Sequence, residues 1–142
     1  MKIAVIGTGA IGRLRAETVA ENPATELVAV VDVDRAGAEG VAAAHKAKAY
    51  TDYRDALDKG GLDAVIVSSP IQVHEDQCIA AFEAGCHVLC EKPLAPSSAA
   101  GRRVLDAAER HGKVLAIGFN HRYYPSIQFL KQALDQGRIG TL

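Results

Sequence analysis

Lys2-Ile3-Ala4-Val5-Ile6-Gly7-Thr8-Gly9-Ala10-Ile11-Gly12 opens the chain, and its reading decides the fold. Lys2 to Ile6 is a short apolar run rich in β-branched residues, the composition of a buried strand. It passes into the pattern G-x-G-x-x-G, and a helical pattern follows, with Ile11, Leu14, Val19 and Ala20 expected on its inner face. Strand, glycine turn and helix is the context that gives this motif meaning. Gly7 allows the tight turn out of the strand, Gly9 lets another group approach the backbone, and Gly12 lets the helix pack close to the strand. The helix start, at Ala10 and Ile11, then offers unpaired N–H groups and a partial positive charge to an anion. A second apolar run, Leu27 to Val31, ends at Asp32, twenty residues beyond Gly12. A carboxylate at that offset suits the hydroxyls of an adenosine ribose. Together these features point to dinucleotide binding. A glycine turn used only for packing is the competing reading.

Outward from this stretch, the chain of 142 residues is the size of one ordinary domain. With 49% hydrophobic and 23% charged residues it can bury a core and stay soluble. The net charge is −1 with no long run of one sign, which argues against nucleic acid or a membrane surface as the main partner. No apolar stretch reaches the roughly 18 residues of a spanning helix. Met1-Lys2 leads directly into a strand and leaves no room for a signal peptide, so a cytoplasmic location is expected. Cys78, Cys86 and Cys90 are odd in number and lack metal-site spacing. They read as reduced and mostly buried, and no metal site is expected.

The remaining segments alternate. Residues 10–22 read as a helix closed by Asn22-Pro23, residues 26–32 as a strand and residues 35–46 as an Ala-rich helix. A short strand follows at 47–50 and a short helix at 51–59, before Gly60-Gly61 breaks the pattern. Residues 63–67 read as a buried strand, and 72–84 as a helix with Cys78, Ile79 and Phe82 inward. Residues 86–90 form the next strand. A helix capped by Ser97 or Ser98 runs to His111, with Val104, Leu105 and Ala108 inward. Residues 113–118 are a sixth strand. Pro125 fits the first turn of a last helix, with Ile127, Leu130 and Leu134 inward. Continuous apolar strands alternating with helices mean an α/β fold: a parallel, doubly wound Rossmann sheet with helices on both faces and strand order 3-2-1-4-5-6. Ligands in such sheets lie at the carboxyl ends of the strands. The loops 7–12, 32–35, 68–74, 91–97 and 118–124 are therefore the ones that matter.

Glu91-Lys92-Pro93 leaves the fifth strand at that edge. A lysine there can act as general acid or base if burial and a nearby positive charge lower its pKa. A surface lysine beside a carboxylate is the plainer reading. X-Pro bonds are cis in only about 5–6% of folded cases; a cis bond at Pro93 would aim Lys92 off the strand end.

Taken together, GTGAIG, the strand-ending Asp32, SSPIQVH, AGCHVLCEKPLA and GFNHRYYP resemble the Gfo/Idh/MocA oxidoreductase family, the glucose–fructose oxidoreductase and inositol dehydrogenase group. The resemblance covers the whole chain, and HVLCEKPLA is its most specific segment. It implies that Lys92 sits beside substrate and nicotinamide as the catalytic residue, with Glu91 next to it. Ser69 and Pro70 map to the loop beside the cofactor, His74 to its nicotinamide half, and Asn120 and Arg122 to an N-x-R segment near the active site. Helix capping and loop hydrogen bonds are the alternative roles of His74, Asn120 and Arg122. Asp32 would accept from a ribose 2′-hydroxyl and repel a 2′-phosphate, so NAD is expected rather than NADP. Arg35 could lie over the adenine or answer such a phosphate. Arg13 is either within reach of the diphosphate or simply exposed.

The resemblance also implies a second domain that completes the substrate pocket and the oligomer interface. Residues 1–120 are then expected to form the NAD(P)-binding domain. Residues 121–142 would be its last helix and the start of a junction to a domain that this sequence does not include. On that basis the chain is expected to bind dinucleotide with little or no turnover. The parent would be an NAD(P)-dependent dehydrogenase oxidising a secondary alcohol of a sugar or cyclitol. A non-catalytic nicotinamide-sensing module, or an engineered single-domain scaffold, is the alternative. Phe119, Tyr123, Tyr124 and the last helix would leave an apolar patch, and self-association or burial of that patch is expected.

Overall fold

The computed structural model describes residues 1–59 and 61–140; Gly60, Thr141 and Leu142, to which parts of the turn and junction readings refer, lie outside them. Six strands form one parallel sheet: β1 (Lys2–Ile6), β2 (Glu26–Val31), β3 (Lys48–Tyr50), β4 (Ala64–Val67), β5 (His87–Cys90) and β6 (Leu115–Ile117). Their order is β3-β2-β1-β4-β5-β6, the expected doubly wound arrangement. β1 lies at the centre, pairing Ile6 with Val31 on one side and with Val67 on the other. The sheet edge just beyond these residues is where the strand order reverses.

Alternation along the strands divides the core in two. Ile3 and Val5 point to one face, where Ala16 and Val19 of α1 (Ala10–Glu21) and Val41 and Ala42 of α2 (Arg35–His45) cover them. Ala4 and Ile6 point to the other. There they meet α3 (Tyr53–Asp58), α4 (His74–Glu83) and α5 (Ser98–Arg110), with the fully buried Phe82 among the contacts. Local chemistry sets the helix ends. Asp34 caps α2 by accepting from the N–H groups of Ala36 and Gly37, and Ser97 caps α5 by accepting from Ala100. Gly85 and Gly112 turn the chain at positive φ after α4 and α5. Cys78, Cys86 and Cys90 are buried free thiols.

Three apolar-face expectations need correction. In α1 the inward residues are Gly12, Ala16 and Val19, while Ile11 and Leu14 are 48% and 52% exposed and Ala20 is also exposed. The helix lies so close to the sheet that small residues make the contact, and the larger ones are rotated outward. In α5, Leu105 is exposed while Val104, Ala107 and Ala108 are buried. The last helix, α6 (Pro125–Asp135), carries Pro125 at its first turn as expected, but buries only Ala133. Ile127 and Leu130 are exposed and Leu134 is half-buried, because no other layer of the described residues lies over that face.

Candidate functional site

The glycine hairpin joins β1 to α1. Gly7 has φ +97°, and a Cβ there would stand 2.7 Å from the Ser68 carbonyl. A Cβ on Gly12 would stand 1.9 Å from the Gly7 oxygen, so α1 can approach the hairpin only without a side chain at that position. Gly9 differs: among the described residues a Cβ there would meet nothing within 4 Å. No side chain caps the start of α1, whose first N–H groups, beginning with Ala10 and Ile11, remain available to an anion. This open cradle fits a diphosphate. Ser68 Oγ, just past the end of β4 beside Gly12, is buried without a hydrogen-bond partner among the described residues.

Asp32 ends β2 and is bound to the same hairpin. Thr8 donates to Asp32 Oδ2 from its backbone N–H (2.6 Å) and its hydroxyl (2.7 Å), and the Asp34 N–H donates to Oδ1 (2.9 Å). Burial would raise the Asp32 pKa. The donors from Asp34 and Thr8, with the charge of Arg13, outweigh it and hold the carboxyl below its ordinary value. Thr8 occupies an unspecified position of the glycine motif, and sequence reasoning missed it. A Cβ on Gly37 would lie 2.8 Å from the Thr8 hydroxyl, so α2 also constrains this contact.

A cavity of about 470 Å³ opens between the ends of β1, β2 and β4, lined by Asp32, Val33, Tyr53, Arg54, Ser69, Pro70 and Val73 among others. Val33 is 93% exposed on its rim. Arg54 stacks over the Tyr53 ring, 4.5 Å from its centroid. Arg35 does not line this cavity; it points to solvent and pairs with Glu39 one helical turn on. The cation on the cavity wall is therefore Arg54, a residue that lacks any recognisable sequence motif. Arg13 folds back on the hairpin, its Nε donating to the Thr8 carbonyl at 2.9 Å.

The second half of the site lies at the ends of β5 and β6. The Lys92–Pro93 peptide is cis. Lys92 is exposed and lines a recess of about 360 Å³ with Gly118, Phe119, Asn120, His121 and Arg122. Asn120 and Arg122 sit on a single 3₁₀ turn, Asn120–Tyr123. Glu91 does not share that exposure. Its Oε1 accepts from Arg15 Nε (2.8 Å) and Nη2 (2.5 Å), and it packs where any Cβ on Gly118 would clash. The Arg15–Glu91 pair ties α1 to the residue before Lys92, across 76 positions of sequence. His74 is likewise withdrawn. It is 2% exposed, with Nδ1 3.0 Å from the Pro93 carbonyl and Nε2 2.8 Å from the Ser69 carbonyl. Both ring nitrogens face backbone carbonyls of the loops on either side. Ser69 Oγ donates to Gln77 Oε1, which braces the same loop from α4.

Among the described residues no helix is long and apolar enough to cross a membrane, and no group of three or more His, Cys, Asp or Glu gathers as metal ligands. Comparison with known proteins gives a consistent result. The Gfo/Idh/MocA model, described as an oxidoreductase family with an NAD-binding Rossmann fold, matches residues 1–119. The chain is 42% identical to inositol 2-dehydrogenase 2 of Saccharopolyspora erythraea, covering 99% of the chain and 42% of that protein. It is 34% identical to the uncharacterized oxidoreductase YrbE of Bacillus subtilis, covering 96% of the chain and 40% of that protein. Scyllo-inositol dehydrogenase from Lactobacillus casei, solved with bound NAD(H) and scyllo-inositol, superposes with a TM-score of 0.92 at 29% identity, over 99% of this chain and 42% of that one. The chain thus spans about two-fifths of the length of the curated relatives it matches.

Proposed function

The chain belongs to the Gfo/Idh/MocA oxidoreductase family and is its NAD-binding Rossmann domain, and from that premise we propose that it is the cofactor half of a dehydrogenase acting on a secondary alcohol of a sugar or cyclitol. The observation that carries this reading is Lys92, held at the carboxyl end of β5 at the same sheet edge as the open Gly9 cradle. In this reading the N–H groups of Ala10 and Ile11 hold the diphosphate, and Asp32 accepts from the adenosine ribose. Ser69 and Pro70 flank the cofactor. Val33 and Val73 give the adenosine cavity apolar walls suited to a planar base. When bound, the nicotinamide supplies a hydride acceptor at C4. Lys92 takes the proton from the substrate hydroxyl, while Asn120 and Arg122, which line the same recess, orient the substrate. The relatives named as inositol dehydrogenases support the substrate class.

Alone, these 142 residues form one wall of that site. Positioning donor and acceptor can supply roughly 7–11 kcal/mol of a barrier, and one wall leaves the other side to water. We assign residues 1–120 to the cofactor domain and 121–142 to the link onward. The isolated chain then binds NAD, turns substrate over little or not at all, and self-associates through Phe119, Tyr123, Tyr124 and Ile127, all exposed. A reducing, cytoplasmic setting suits the three free buried thiols. Calorimetric titration with NAD and NADP tests the reading, together with a myo-inositol oxidation assay. Tighter NADP than NAD binding refutes the cofactor preference. Turnover by the isolated chain at the rate of an intact relative refutes the half-site account.

A further inference from the structure

The environment of His74 raises a question of proton count. A neutral imidazole has one N–H and one lone pair. Its two nitrogens stand 3.0 and 2.8 Å from two carbonyl oxygens, which only accept. Both pairings are met together only by a ring that carries two protons and a positive charge. A single proton would leave a lone pair facing a carbonyl oxygen in a site that is 2% exposed.

Burial opposes that charge, as does the start of α4 where the ring sits. Contact with Cys90, whose thiol is pulled below its ordinary pKa by Cys78 and His74 and faces the ring with its negative charge when ionised, outweighs burial together with the two carbonyl acceptors and lifts the His74 pKa to about 9. The other ionisable groups on the surrounding elements are already engaged or face elsewhere. The Cys78 thiol is turned toward Cys90, Glu75 is paired with Arg103 of α5, and Glu91 is paired with Arg15. Asp76 opens on the cavity, and Lys92 is exposed.

The two carbonyls belong to the two loops of the proposed site. Ser69 lines the adenosine-side cavity, and Pro93 directly follows Lys92. We propose that His74 is a positioning residue for Lys92: a doubly donating imidazolium that ties the β4 loop to the β5 loop and thereby fixes the lysine relative to the cofactor edge. This rests on the assignment of Lys92 to the reaction made above. With the Arg15–Glu91 pair on the other side, the chain on both flanks of Lys92 is held by a buried or half-buried cation. When His74 loses a proton, one of the two carbonyls loses its donor and the loops separate.

The test follows the intact chain by carbon- and nitrogen-detected NMR from neutral pH to beyond pH 10, with an NAD titration on the same sample. Both His74 ring nitrogens should report protonation at neutral pH and titrate near pH 9. The Pro93 and Ser69 carbonyl carbons and the Lys92 Cα should shift with the same midpoint. In His74→Gln that shared step should vanish. A ring showing one tautomer at neutral pH overturns the proposal, and so does a ring step with no response at Lys92. The wild-type titration decides the matter even if the variant fails to fold. Normal NAD binding without the shared step sinks the clamp and leaves the functional reading intact. A shared step in a chain that ignores NAD does the reverse.

Discussion

Two alanine substitutions three residues apart should separate binding from folding. In Gly12→Ala the new Cβ falls 1.9 Å from the Gly7 oxygen, against the roughly 3.4 Å at which ordinary contact begins, so α1 must retreat by about 1.5 Å. Overpacking costs about 1–3 kcal/mol, and with backbone on both sides the upper end applies. For a chain of this size, that is a loss of roughly 10 °C in Tm. In Gly9→Ala the Cβ meets nothing within 4 Å, and the backbone, at φ −61° and ψ −179°, lies in a region alanine adopts freely. Losing glycine at a helix N-cap costs about 0.5–1 kcal/mol, and stiffening the unfolded chain returns about 0.4–1 kcal/mol, so the Tm should stay within about 2 °C. In the proposed site the methyl group nevertheless stands where the diphosphate would lie. Loss of one charge-assisted hydrogen bond, about 1.5–3 kcal/mol, weakens NAD roughly 10- to 150-fold. Thermal unfolding by circular dichroism and calorimetric NAD titration on both variants decide the case. If Gly9→Ala binds NAD as the parent does, or Gly12→Ala melts with the parent, the account of the hairpin is wrong.

Three further outcomes are expected. Arg15→Met, which strands the Glu91 carboxylate, should cost about 3 kcal/mol, and Arg15→Met/Glu91→Met should recover most of it in urea unfolding; additive losses would show that the pair is not coupled. Asp32 has a folded-state pKa below its ordinary 3.8, so its stabilisation is present above pH 3.8 and disappears as pH falls through the lower folded value. Acid unfolding should thus show the parent's advantage over Asp32→Ala closing only in that range, and a gap that closes near neutrality contradicts it. Ser68→Ala removes a buried hydroxyl that has no partner among the described residues, and should leave the Tm unchanged or raise it by an amount equivalent to at most about 1 kcal/mol; a clear loss would reveal a partner for Ser68 Oγ.

The strand order is legible because β1, β2, β5 and β6 are apolar runs that end at Gly7, Asp32, Glu91 and Gly118, and a parallel sheet with helices on both faces needs strands of that kind; the short β3, Lys48–Tyr50, lacks both marks. The helix faces were harder to read. In α1 the pattern places Val19 inward correctly, but it also favours Ile11 and Leu14, which outweigh Gly12 and Ala16 in any hydrophobic count. Close packing selects the small residues instead. At the site, Gly7, Gly9, Gly12 and Asp32 announce themselves by spacing. Arg15 and Thr8 do not, since their partners lie far away in sequence or their motif positions tolerate any residue. His74 was visible as a residue, but its two carbonyl partners come from separate loops, and only the folded chain brings them to one ring.

An eleven-residue helix that buries a single alanine has little beneath it to hold it wound. The physical consequence for α6 is that its backbone amides should exchange with solvent deuterium far sooner than those of β1 and β4, whatever the stability of the sheet. Whatever docks on Ile127 and Leu130 would slow that exchange locally, so the deuteration rate of this one segment works as a gauge of whether its outer side is covered.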